Sequence, residues 1–469
     1  MRALAIVVLC SSALLAQAPV DPSHQQPTVA HDALASAILK QLVEINTTDS
    51  VGSTTVAAEA VAARLKAAGF PAADLQVLGP NPRKGNLVAR LRGSGARRPL
   101  LLLAHLDVVE ARREDWSVDP FRLLEKDGYY YGRGTTDDKG MAAQFVANLI
   151  RLKQEDFHPD RDLILALTAD EEGGDFNGVE WLLEHHRPLI DAEVAINEGG
   201  SGVSKNGKYL VNEVQAAEKV YQDFRLEVRN AGGHSSLPVK DNAIGHLAAG
   251  LSRLVAYDFP VRLNEITRKY FERSSAGQDD PQIRADMRAV AAASPDRSAI
   301  ARLAAASAYY NAMMRTTCVP TRLEGGHANN ALPQLAAAIV NCRLLPDDSA
   351  AAVRQTLINA LADPQIAVTL VGQANPSRPA TLMPDVMNVV ESLTHAMFPG
   401  VLVVPVMSTG ATDGLFLRNA GIPTFGIDAT FGDIDDVRAH GRDERVGVKQ
   451  FHEGLEFQYR LIRMLASPR

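Results

Sequence analysis

The chain has no basic stripe, no internal repeat, no low-complexity tract and, beyond its first residues, no apolar run resembling a membrane span. Each absence removes a class of function. Lys and Arg number 48 against 55 Asp and Glu and are interspersed with them, for a net charge of −7. That balance lacks the footprint of a nucleic-acid binder and mainly favours solubility. No Gly-x-Ser-x-Gly elbow occurs, which argues against a serine hydrolase built around His234-Ser235-Ser236. The glycines of Gly132-Arg133-Gly134-Thr135-Thr136-Asp137-Asp138-Lys139-Gly140 fit neither phosphate-loop nor dinucleotide spacing. Cysteine is scarce, with only Cys10, Cys318 and Cys342.

What remains is an ordinary folded composition, 46% hydrophobic and 22% charged. Its 469 residues exceed one simple core and predict two domains. Arg2 precedes an apolar stretch from Ala3 to Ala16, and Ala16-Gln17-Ala18 supplies a small-x-small cleavage pattern. The stretch is short for a membrane span and reads as a signal peptide over residues 1–18, cleaved near Ala18. The mature protein is then periplasmic or extracellular, and 19–31 form a flexible leader. Export permits a disulfide. If segments 316–323 and 336–344 pair as an antiparallel hairpin, Cys318 and Cys342 lie nearly opposite; two buried thiols is the alternative.

Apolar runs suited to buried strands at Asn86–Leu91, Pro99–Ala104, Asp162–Thr168 and Glu193–Ile196 alternate with helical patterns at 140–154 and 177–186. This predicts an α/β fold with a mainly parallel sheet over 32–218. From about 219 the pattern changes. Tyr221–Val228 alternates, a helix follows from Asn242 to Ala256, 285–314 read as Ala-rich helix, and the hairpin comes next. An inserted α+β domain over 219–350 follows, with the catalytic domain resuming at 351–469.

The chemistry-bearing clusters fall just past strands, where open α/β sheets gather ligands. His105-Leu106-Asp107 pairs an imidazole able to ligate a metal with a carboxylate able to orient it. Asp137-Asp138 opens a helix, and could on its own be only a cap. Asp170-Glu171-Glu172 places three carboxylates in a row, which repel unless a positive charge sits among them. Asn197-Glu198 adds another acid, and His440 lies far downstream in Arg438-Ala439-His440-Gly441-Arg442-Asp443-Glu444-Arg445.

These motifs, in this order, resemble the zinc-dependent peptidases and amidohydrolases that include carboxypeptidase G, carboxypeptidase S, aminoacylase, carnosinase-type dipeptidases and succinyl-diaminopimelate desuccinylase. The run from His105 through Trp116, Pro120 and Phe121 to Gly132-Arg133-Gly134 is most similar to the carboxypeptidase S-like branch. The resemblance implies a di-zinc exopeptidase-type catalytic domain with an inserted lid and dimerisation domain. It implies two Zn²⁺ per subunit, with Co²⁺ or Mn²⁺ able to substitute. Position by position, it makes His105 a ligand of one zinc with Asp107 behind it, Asp137 the bridge, Glu171 the general base, Glu172 and His440 ligands of the second ion, and Glu198 of the first. Asn197 stands where several relatives have Asp, leaving Glu198 as the ligand. Three carboxylates and two imidazoles then set −3 against +4.

The resemblance further implies that His234 reaches the neighbouring subunit of a homodimer and donates to the developing oxyanion. Asn330 and Arg343 match positions near the substrate, where an arginine fork suits a free carboxylate. Gly410 and Thr412 complete the expected substrate contacts. The implied activity is a carboxypeptidase or dipeptidase that releases a C-terminal amino acid, or else an N-acyl amino acid deacylase. A non-catalytic binding protein of the same fold would have no need of Glu171 beside the ligand Glu172.

Overall fold

The structure, a computed structural model, describes residues 29–468. The signal segment 1–18 and leader residues 19–28 lie outside the described residues. The leader ends sooner than the sequence suggests, because a helix begins at Val29 and runs to Glu44. His31 is buried within it, its Nε2 3.1 Å from Asn148 Oδ1, which draws this turn onto the domain.

A ten-stranded mixed sheet, mostly parallel at its centre, organises the larger domain. Leu100–His105 runs parallel to both Leu163–Thr168 and Val194–Asn197, and Thr424–Gly426 extends the parallel set. These strands are apolar throughout because both faces are covered. Leu100, Leu102 and Ala104 enter one hydrophobic cluster, while Leu101 and Leu103 enter another. Helices Val29–Glu44, Thr54–Ala67, Lys139–Gln154 and Val448–Ala466 cover the first face; Gly178–His185 and Gly414–Asn419 cover the second. Each fully buried leucine stabilises the layer by ~1.5–3 kcal/mol, so the strand ends form a rigid frame.

The smaller sheet is antiparallel, ordered Thr317–Gly325, Leu335–Leu344, Val220–Arg229, Ala367–Val371. Helices Ala243–Val255 and Ala350–Leu361 cover it. Two boundaries therefore differ from the sequence reading. Ala350–Leu361 and Ala367–Val371, expected in the returning catalytic segment, belong to the small sheet, since Val353, Leu357, Leu361 and Val368 share a cluster with Phe224 and Val340. Conversely, the helices between 265 and 314 cover the large sheet: Ile266, Phe271, Met313 and Met314 join the cluster that holds Val403 and Val404.

The Ala-rich stretch is three helices, Pro281–Ala291, Arg297–Ala306 and Ala308–Met314. Asp296 and Ser307 cap two of them by accepting from the N–H groups of Ala299 and Tyr310. Cys318 stands opposite Cys342 in the antiparallel register, and a disulfide joins them with Cα atoms 4.1 Å apart. No described helix is long and apolar enough to cross a membrane.

Candidate metal centre

Parallel pairing delivers the acidic and imidazole groups to one end of the sheet. His105 is in register with Thr168, and Leu102 with Ile196. Glu171, Glu172 and Glu198 therefore emerge beside His105 from adjacent strand ends. Asp137 comes from the loop that opens the helix Lys139–Gln154, and His440 from the loop before Arg445.

Asp137 stands between the two histidines. Its Oδ1 lies 3.0 Å from His105 Nε2 and its Oδ2 lies 3.0 Å from His440 Nε2. Glu198 Oε1 is 3.9 Å from His105 Nε2, and Glu172 Oε2 is 2.8 Å from His440 Nε2. Two ligand sets result, His105–Asp137–Glu198 and Asp137–Glu172–His440, sharing one carboxylate.

The surrounding contacts fit a cation in each set. His105 Nδ1 donates to the carbonyl of Asp107 at 3.0 Å, which leaves Nε2 as an acceptor facing a carboxylate, itself an acceptor. Only a proton or a metal resolves that opposition. Glu172 Oε1 is buried with no hydrogen-bond partner. Burial, with nearby carboxylates, pushes Glu172 up to about 7 and raises Glu171 and Glu198 well above the usual range. Burial opposes a charge on His105, but its hydrogen bonds to Asp107 and Asp137 outweigh that and hold it well above an ordinary histidine. The hydrogen bond to Asp137 is the largest influence raising His440 to about 9. A divalent ion must displace that proton. Metal affinity should therefore fall as pH drops below about 9, by about tenfold per unit for each proton displaced. Competition with a chromophoric chelator at pH 6, 7 and 8 checks this; affinity independent of pH would contradict it.

Residues 101–464 match the sequence profile of the peptidase family M20/M25/M40. The chain belongs to this family. It is accordingly a family hydrolase with the metal-ligand set of a metallopeptidase. Among similar proteins, the N-fatty-acyl-amino acid synthase/hydrolase PM20D1 of Xenopus tropicalis is 30% identical over 375 residues, covering 78% of this chain and 72% of that protein. Probable carboxypeptidase S-like 2 of Dictyostelium discoideum is 28% identical over 384 residues, covering 78% and 71%. The fold is shared with the M20 family metallo-carboxypeptidase Sso-CP2 from Sulfolobus solfataricus, at TM-score 0.66 and 17% identity over 92% of this chain and 99% of that one.

The remaining residues of this M20 chain divide clearly. Asp107 lies behind His105, its Oδ1 3.6 Å from Nδ1, and also accepts from the N–H groups of Glu171 and Glu172 at 3.2 and 3.0 Å. It thus fixes the acidic turn as well as the imidazole. His234 is exposed on a two-residue strand paired with Ala331–Leu332 and belongs to neither ligand set. Asn330 sits with it, its carbonyl accepting from Ser235 N–H at 3.0 Å. Arg343 lies over the Tyr221 ring at 4.8 Å and shares a cavity with Gly410. Thr412 is buried, and its hydroxyl is engaged within the protein, donating to Glu218 at 2.9 Å.

Two positioning residues carry no mark in the sequence reading. Glu444 is fully buried, pairs with Arg133 at 2.7 Å, and accepts from the N–H groups of Gly134, Thr136 and Asp137. It holds the Asp137 loop against the His440 loop. Arg133 also donates to the carbonyl of His440 at 3.4 Å, in a turn where His440 takes φ +62°. Asp413 accepts from Thr168 Oγ1 at 3.1 Å beside His105, and from Asn177 at 2.6 Å. Glu444's only signal was its place four residues after His440.

Proposed function

We propose that the protein binds two zinc ions and hydrolyses the amide bond preceding a C-terminal amino acid, as a carboxypeptidase or dipeptidase. The Asp137 carboxylate, one oxygen toward each histidine, carries this reading. Zinc ions held by His105, Asp137 and Glu198 and by Asp137, Glu172 and His440 would supply Lewis acidity to the scissile carbonyl and acidify the attacking water. Glu171 takes the proton from that water and delivers it to the leaving nitrogen. Its burial raises its proton affinity, as a group that must hold a proton between two steps requires. Co²⁺ or Mn²⁺ would substitute in such a carboxylate-rich site.

The 30% identity to an N-fatty-acyl-amino acid synthase/hydrolase favours a second reading, deacylation of N-acyl amino acids. Zinc-loaded protein assayed against dipeptides and N-acyl amino acids in competition separates the two. Release of the C-terminal residue from dipeptides alone supports the first reading, cleavage of acyl substrates alone the second, and cleavage of neither removes both.

Export belongs to the same proposal. The Cys318–Cys342 disulfide suits an oxidising compartment. So does association of two copies through the inserted domain, where the edge strand Thr317–Gly325 exposes Val319 and Leu323. Ser236 N–H donates to His234 Nδ1 at 3.2 Å, which leaves the neutral imidazole's proton on Nε2, ready to donate. His234→Ala should lower turnover with metal content intact, and mixing it with Asp137→Ala should restore activity if the histidine serves the partner's site. Absence of rescue in mixed dimers would place its action within one subunit.

A further inference from the structure

Glu171 follows a residue whose backbone is held in an unfavoured state. Asp170 is buried and takes φ +57°, in the left-handed region that side chains other than glycine seldom occupy. Such a conformation persists only where the surroundings impose it. Here the acidic turn closes around the Asp170 side chain. Its Oδ2 accepts from Phe176 N–H at 3.3 Å, and its carbonyl accepts from Asn177 Nδ2 at 3.3 Å. Gly174, at φ +119°, lies against the same carboxylate, so close that a Cβ there would meet Oδ2 at 2.3 Å.

A buried carboxylate needs a counter-charge, and Lys84 supplies it. Lys84 is itself buried, and its ammonium pairs with Asp170 Oδ1 and, at 2.6 Å, with Asp49 Oδ1. Asp49 is largely exposed, so Asp170 is the partner inside the protein. The lysine's own backbone is fixed as well. Its N–H donates to Asn81 Oδ1 at 3.2 Å, and its carbonyl lies where a Cβ on Gly79 would come within 2.1 Å. Two residues further on, Asn86 opens the strand Asn86–Leu91 and accepts from Ala169 N–H at 2.9 Å. One short segment therefore grips both residues that precede Glu171, Ala169 through its backbone and Asp170 through its side chain.

We propose that Lys84 is a positioning residue for the hydrolysis: by holding the Asp170 carboxylate it locks the left-handed turn that aims Glu171 at the attacking water. This rests on the hydrolase reading above, in which Glu171 moves the proton. Neither Lys84 nor Asp170 belongs to a ligand set. Glu172 is additionally fixed through its side chain, 2.8 Å from His440, whereas Glu171 is tied through its backbone N–H to Asp107. Loosening Asp170 therefore moves the base more than the ligand.

The test uses the full zinc-loaded chain and whichever of alanyl-leucine and N-acetyl-leucine the wild type cleaves. Lys84→Met should lower kcat by about 10- to 100-fold, the scale of a small misplacement of a reacting group, with KM and bound metal at wild-type values. Lys84→Arg, which keeps the ion pair, should recover most of the rate. A merely structural lysine would lower the unfolding midpoint and leave kcat of the folded protein unchanged, and that result overturns the proposal. Loss of metal in step with kcat overturns it too, since the lysine would then act through Glu172. Should Lys84→Met fold poorly, Asp170→Asn is compared with the double variant Lys84→Met/Asp170→Asn, because asparagine tolerates the left-handed backbone. Asp170→Asn should show the same loss in kcat, and the second substitution should add little to it, as both cut one tether. Wild-type kcat in Asp170→Asn, or losses that multiply, overturn the proposal. If the wild type cleaves neither substrate, the hydrolase reading fails by itself. The tether is then decided by amide hydrogen exchange over residues 170–177, which Lys84→Met should accelerate relative to the rest of the domain; unchanged exchange overturns it.

Discussion

Glu171→Gln should retain both metals and lose about 10²- to 10⁴-fold in kcat, the usual contribution of a positioned base. The substitution preserves shape and removes only the ability to accept a proton. Glu171 belongs to neither ligand set, whereas its neighbour Glu172 lies 2.8 Å from His440. The backbone of both is pinned by the Asp107 carboxylate, so the glutamine should stay in place. Steady-state kinetics alongside metal analysis of the purified protein checks the expectation. Near-normal turnover would remove Glu171 from the mechanism, and loss of metal would recast it as a ligand.

Glu444→Ala should damage the centre without touching any ligand. The carboxylate is fully buried, as is Arg133, and it satisfies three backbone N–H groups and the Thr136 hydroxyl besides the guanidinium. Removing one partner of a buried pair leaves the other charge uncompensated, at a cost of about 3–5 kcal/mol. Because Asp137 N–H is among the released donors, the bridging carboxylate loses its fixed position and metal affinity should fall as well. Denaturant unfolding and chelator competition on the same variant read the two effects. Stability and affinity both at wild-type values would show that the loop holds itself.

The clustering of the five candidate ligands was legible because each is a metal-binding type placed just past a strand or in a marked loop, and parallel pairing aligns strand ends without further information. Asp107 was legible in kind, though not in its second task of accepting from Glu171 and Glu172. Glu444 was hidden because it acts on backbone N–H groups about 310 residues away in sequence, which no local pattern encodes. The boundary near 350 was misplaced for a related reason. Ala367–Val371 alternates as an edge strand of either sheet would, and only its pairing with Val220–Arg229 decides which. The helices of 265–314 showed their apolar faces, but a face does not say which sheet it covers. Thr412 lay in a motif that suggested ligand contact, and its neighbour Glu218 claimed the hydroxyl.

The shared carboxylate has a temporal side. His105, Asp137, Glu172 and Glu198 all precede the inserted domain, while His440 follows it. During synthesis all members of the first candidate set exist together long before the second set is complete. A ribosome-bound or C-terminally truncated chain therefore lacks the one histidine of the second candidate set, and under the two-ion proposal a second ion would be held only once translation has run past the whole insert.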